Sequence, residues 1–295
     1  MYILLTGQRS TMTRPLRATT PESESADELD ITQFIDGMVG LLAGAANVIM
    51  QLSNPPVGYG VLESTVHSGN VMLHPVKRLR TTVTYLAVAM LGSSDERADY
   101  REAVNRSHRP VHSTASSPVR YNAFDPDLQL WVAACLYWGA QDTYTRLHGP
   151  MDEATADAFY RHSARLGTTL QVRDGMWPAD RKAFAAYWDR HLSATTIDPP
   201  VRDYFNDLID LKMLPLPLRL PFARAHRFFV TGLLPAHLRD QMGFTWSTRE
   251  DRALERILRT LGTAETLLPA PVRMFPLNAY LADFRLRRRL GLRLV

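Results

Sequence analysis

Nine histidines, one cysteine and a short run of basic residues are the side chains of this 295-residue chain with the most obvious chemistry. His108 and His112 lie four apart in "NRSHRPVHS". On an unbroken helix that spacing puts both imidazoles on one face, as a metal ion or haem iron requires. Pro110 stands between them and disturbs the turn. His67 sits in the loop "TVHSGN", and His74 precedes Pro75 at a helix start. Just beyond are Lys77, Arg78 and Arg80, which can fork onto the carboxylates of an anionic ligand or simply face water. The other five histidines, His148, His162, His191, His226 and His237, fall at helix ends or polar faces and are expected to be solvated. Cys135 has no electropositive neighbour in sequence to activate it and reads as a small inert hydrophobe. A Gly-rich phosphate loop, a GxSxG elbow, an HExxH pair and paired cysteines are all absent.

The element best suited to place such groups is "FDPDLQLWVAACLYWGAQDTY", Phe124 to Tyr144. Asp125 can cap a helix, Pro126 suits its first position, and Asp127 sits well at the positive end of the helix dipole. From Leu128 to Ala140 the one strongly polar side chain is Gln129, so the helix is expected to be buried nearly all round. Its middle is thin. Ala133, Ala134, Cys135, Gly139 and Ala140 form a shallow strip that either a neighbouring helix or a flat cofactor can approach.

The remaining pattern is helical. Helices are expected from Ile31 to Leu52, stopped by "SNPPVGYG", from Pro75 to Leu91, and from a serine-capped start to His108. After the Phe124 helix come "MDEATADAFYRHSARLG", with Gly167 as its C-terminal cap, then "WPADRKAFAAYWDRHL", "PPVRDYFNDLI", "LPAHLRDQMG" and "STREDRALERILRTLG". The proline-punctuated "LPLPLRLPF" is not expected to be helical throughout. With no alternating strand pairs and no repeat, the fold class is all-α, one domain over residues 28–295 behind a disordered leader over residues 1–27.

With 45% hydrophobic and 22% charged residues the composition is ordinary for a globular protein, and one cysteine argues for a reducing, cytoplasmic setting. The formal charge of +4 comes from the end of the chain: six arginines and one aspartate follow Ala270. "FRLRRRLGLRLV" can touch a membrane surface, but it lacks the interleaved aromatics of a nucleic-acid platform, so nucleic acid is not expected as a partner. The favoured reading is a final element with a solvated arginine face. "FIDGMVGLLAGAANVIM" is the nearest thing to a membrane span, and Asp36, Asn47 and its short length mark it as a core helix.

Taken in order, "LLAGAANVIMQLSNPPVGYGV", "HSGN…HPVKRLRTTVTYL…LG", "VNRSH", "YNAFDPDLQLWVAACLY", "YTRLHGPM", "FAAYWD" and "TGLLPAHLRDQMGFTWS" resemble the mpaB-type oxygenase family, which includes rubber oxygenases, over Leu41 to Ser247. The resemblance implies a globin-like helical core holding haem b, and oxidation of a hydrophobic substrate with dioxygen. In the best-known members the reaction is cleavage of a carbon–carbon double bond. Relatives carry "WVHAT" where this chain has "WVAAC", so the position of the family's axial histidine is Ala133. The resemblance then leaves His108, from the "N-x-x-H" segment, as the iron ligand beside the helix of Trp131 and Ala133. Arg78 or Arg80, with His67, is expected at the propionates. The alternative is a non-catalytic helical module holding an apolar ligand or partner helix in a pocket that has lost its haem ligand.

Overall fold

The computed structural model describes residues 29–295, so the leader expected over residues 1–27 lies outside the described residues. The first helical stretch is not continuous. A 3-10 turn (Ile31–Phe34) leads to α1 (Gly37–Gly40), a second 3-10 turn (Leu41–Ala43) and α2 (Gly44–Leu52). Gly37 explains part of the break: a Cβ there would lie 2.2 Å from the Phe275 carbonyl oxygen, so the two ends of the fold press together at a point that tolerates no side chain. The expected turn falls at Ser53 and Asn54. The prolines then start α3 (Pro55–Leu62), with Pro55 at the first position, where its missing N–H costs nothing.

Capping chemistry sets the next starts. α4 (Pro75–Leu91) again opens on proline. α5 (Ser94–His108) begins with a full capping box, in which Ser93 and Glu96 each accept from the other's backbone N–H. α6 (Pro126–His148) is the longest helix, with Asp125 accepting from the Asp127 N–H at 2.8 Å. α7 (Glu153–Ser163) and the single turn α8 (Arg165–Thr168) follow. Gly167 is therefore inside a helical turn and not the cap expected of it. An added Cβ would meet Val172 at 3.0 Å and the Ala133 Cβ at 3.3 Å, so its role is close approach to α6.

α9 (Arg181–Ala194) and α10 (Pro199–Ile209) match the sequence reading. α11 (Leu216–Leu233) does not, because the helix runs straight through Pro221. Its first turns are exposed at Leu216, Leu218, Leu220 and Phe222, so water can take up the carbonyl that the proline leaves without a donor. α12 (Ala236–Met242) ends on left-handed Gly243, and α13 (Thr248–Thr266) starts with a second capping box, Ser247 with Glu250. α14 (Ala270–Arg273) and α15 (Leu277–Arg289) complete the chain.

The architecture is all-α; among the described residues the only β feature is an isolated bridge between His112 and Asn122. α6 runs through the centre with α2, α8 and α13 against it, and its Trp131, Ala133, Ala134, Cys135 and Tyr137 belong to one continuous core. α15 packs along α4 over a smaller core of Ala87, Val88, Tyr100, Leu281 and Phe284. The terminal arginines are not a uniformly solvated face. Arg285 forks onto Glu96, Arg288 pairs with Asp99, and Arg287 pairs with Asp283. The acidic start of α5 is thus their partner. No helix among the described residues is long and apolar enough to cross a membrane.

Candidate functional site: a partnerless arginine beside a buried imidazole

Arg78 and Arg80 are two residues apart on α4, which turns their side chains to nearly opposite faces of the helix. Arg80 reaches outward to Asp283 of α15, 3.7 Å away. Arg78 points the other way and makes no hydrogen bond or ion pair among the described residues. It is exposed to solvent although protein atoms crowd around it. A side chain so placed borders a recess open to solvent, the hollow between α4 and the end of α5. Burial pulls its pKa below the usual arginine value, but a guanidinium stays charged at any ordinary pH.

His108, the last residue of α5, faces the same place. Its Nδ1 is buried with no hydrogen-bond partner. Burial first, and the Arg78 charge second, push its pKa down to about 4. At neutral pH it is therefore an uncharged imidazole with a free lone pair. Phe124 stands edge-on to the ring at 6.4 Å. Tyr204 of α10 completes the surroundings; burial raises its phenol pKa and Arg78 lowers it. Asn105, one turn before His108, makes no hydrogen bond to it; its oxygen accepts from Gln171 Nε2 at 2.7 Å. The arrangement can accept an anion at Arg78 and offer a neutral nitrogen beside it.

The remaining sequence-predicted residues lie elsewhere. Ala133 is fully enclosed against Gly167 and Val172, so it lines no hollow. Trp131 is equally buried, stacked on Trp188 at 5.4 Å and donating from Nε1 to the Gln51 carbonyl at 3.0 Å. Neighbouring helices thus close the thin strip of α6. α8 covers Ala133, while Asn47 of α2 covers Gly139 and donates to the Cys135 carbonyl at 2.7 Å. His67 is exposed on a 3-10 turn (His67–Gly69) that touches α4, and Arg80 belongs to the α15 contact. His112 is also exposed, since α5 ends at His108 and the chain turns extended, which separates the i, i+4 pair.

Sequence reasoning missed Phe124 and Tyr204, because an aromatic residue beside a buried imidazole has no local signature. It also misread the five remaining histidines. All are part-buried and bonded: His148 to Asp36, His162 to the Met90 carbonyl, His191 to the Tyr187 carbonyl, His226 to the Ile209 carbonyl, and His237 to Gln241. Helix-end carbonyls attract ring N–H groups as readily as water does. Cys135 is as expected, a fully buried thiol whose pKa burial pushes well above the usual value.

Two curated relatives are each 52% identical over 255 residues, 86% of this chain and 100% of the relative: the uncharacterized proteins Mb2261 of Mycobacterium bovis and Rv2237 of Mycobacterium tuberculosis. No solved structure matches. The family model described as "ER-bound oxygenase mpaB/B'/Rubber oxygenase, catalytic domain" matches residues 32–263. That span runs from the first 3-10 turn into α13 and includes Arg78, His108 and all of α6, so the chain belongs to the mpaB/rubber-oxygenase catalytic-domain family.

Proposed function

We propose that this protein is a haem-dependent oxygenase acting with dioxygen on a hydrophobic small molecule, with haem b held at the Arg78–His108 hollow. One observation carries the reading: a neutral, deeply set imidazole with an orphaned nitrogen lies beside a guanidinium with no counter-ion. Orphaned buried polar groups are rare and mark a missing partner. Haem bound there supplies an iron able to take up dioxygen and oxidise a nearby substrate. His108 offers a nitrogen lone pair for that iron, free of competing protons at neutral pH. Arg78 supplies the fixed positive charge that a buried propionate needs. Phe124 and Tyr204 give the hollow aromatic walls, which favour an apolar substrate and exclude water. A single buried cysteine suits a cytoplasmic location.

Ala133 supports a second reading. With α8 closed over Ala133, where the family resemblance implies an axial histidine, a chain that has abandoned haem can keep the hollow for an apolar anion, as a non-catalytic module. Haem titration of the purified chain separates the two. The oxygenase reading expects a saturable Soret band that His108→Ala abolishes and His112→Ala leaves intact, with Arg78→Leu loosening haem. A chain that stays colourless in excess haem is the module instead.

A further inference from the structure

At the far end of α6, three donors from three separate elements converge. His148 is the last residue of α6, Asp36 precedes α1, and Glu265 lies in the last turn of α13. One ligand atom from each lies within 4.8 Å of the others. His148 Nε2 is 2.7 Å from Asp36 Oδ2. The other Asp36 oxygen, Oδ1, is buried without a partner, and so is Glu265 Oε2. Both side chains are more than nine-tenths buried.

The local structure makes these loose ends harder to dismiss. Asp36 holds the N-cap position of α1, where aspartate ordinarily accepts from the helix N–H groups, but here its side chain caps nothing. It turns inward, toward His148. Glu265 accepts one hydrogen bond from the Val39 backbone N–H and meets the Asp36 carboxyl in a side-chain hydrogen bond, which in the metal-free protein needs a proton on one of the two. Arg273 acts on it through space but forms no ion pair with either carboxylate; its Nε is also unpartnered, and its Nη2 donates to the Thr32 carbonyl at 3.3 Å. Two buried carboxylates this close cannot both stay ionised unaided.

A proton or a cation can resolve the conflict. A proton bridges two oxygens and leaves the imidazole outside the arrangement. A divalent ion engages all three donors, balances both carboxylate charges, and explains why a neutral-capable imidazole is held against them. We propose that Asp36, His148 and Glu265 form a binding site for a divalent first-row metal ion, with a nitrogen and carboxylate donor set suited to Zn2+ or Mn2+. The ion would pin the N-terminal segment to the ends of α6 and α13. Glu265 would release its proton on binding, because burial and Asp36 push its pKa up to about 8 in the metal-free protein.

The test uses the full chain, stripped with chelator and titrated with Zn2+ by calorimetry, with Co2+ as a spectroscopic substitute and bound haem iron counted separately by its Soret band. The proposal expects one Zn2+ per chain, a raised Tm, Co2+ d–d bands, and a loss of affinity of about tenfold or more in both Glu265→Gln and His148→Gln. No saturable uptake by the unsubstituted chain up to about 1 mM Zn2+ overturns it. Uptake that both variants retain assigns the metal to surface histidines and overturns it as well. If the variants do not fold, the titration and Co2+ spectrum of the unsubstituted chain still decide.

Discussion

α6 separates two charged regions of opposite sign. It has 23 residues and so spans about 35 Å. Near its start, Arg78 and His108 form a cationic and basic pair with no acid among their described partners. At its end, Asp36 and Glu265 form an acidic cluster whose direct partner is the His148 imidazole, with no arginine or lysine ion pair to either carboxylate among the described residues. A packed protein normally pays its buried charges locally, as Arg285 and Glu96 do with a 2.7 Å fork. The two exceptions therefore read as incomplete in complementary ways: the first lacks an anion, the second a cation.

Their pH responses should be opposite, which gives the sharpest means of breaking the comparison. His108 has its folded pKa depressed from 6.5 to about 4, so the unfolded chain binds a proton first and stability falls as pH drops through that window. In haem-free protein the loss should approach about 2–3 kcal/mol, and His108→Gln should flatten it in denaturant titrations between pH 7 and 4. A slope unchanged by the substitution would mean the imidazole is solvated.

Ala133→His tests whether the basic region extends to α6. Because Gly167 already approaches within van der Waals contact, the imidazole should cost on the order of 2 kcal/mol through overpacking, with no gain in Soret intensity on adding haem. A tolerated substitution that strengthens haem binding would redraw the hollow. The acidic end should answer pH in the opposite direction. Glu265 has its folded pKa raised above that of the unfolded chain, so metal-free protein should lose stability as pH rises from about 4.5 to about 8. Glu265→Gln should remove that decline. Glu96 is the paired control. Its pKa is lowered chiefly by the Arg285 hydrogen bond, so its contribution is complete above the ordinary glutamate range and fades as pH falls below it. Glu96→Gln should cost about 1 kcal/mol at neutral pH and little in acid, read as a shift in Tm.

What the sequence disclosed and what it hid divide along one physical line. Features fixed within a few residues were legible: the serine-capped start of α5, the Asp125–Pro126 start, and the burial of Cys135. His108 and Arg78 were legible as candidates, though not their company, since Tyr204 comes from a distant helix. Features set by distant packing were invisible. Gly37 breaks its helix for the sake of Phe275, and Gly167 serves α6 instead of ending α7. His148 meets Asp36 across 112 residues of sequence. No periodicity carries that information.

Those long-range contacts also constrain how the molecule can come into being. The Gly37–Phe275 approach, the Arg273–Thr32 hydrogen bond and the Arg285–Glu96 fork all join early residues to residues beyond 270. During synthesis α2 to α6 emerge with their apolar faces ready, but α13 and α15, which cover α6 and α4, emerge about a hundred or more residues later. The nascent chain must hold exposed apolar surface until α13 and α15 emerge, a state prone to aggregation. Folding is thereby a closure by α13 and α15, and chains interrupted just short of α15 should be clients of chaperones or proteases and not partly working proteins.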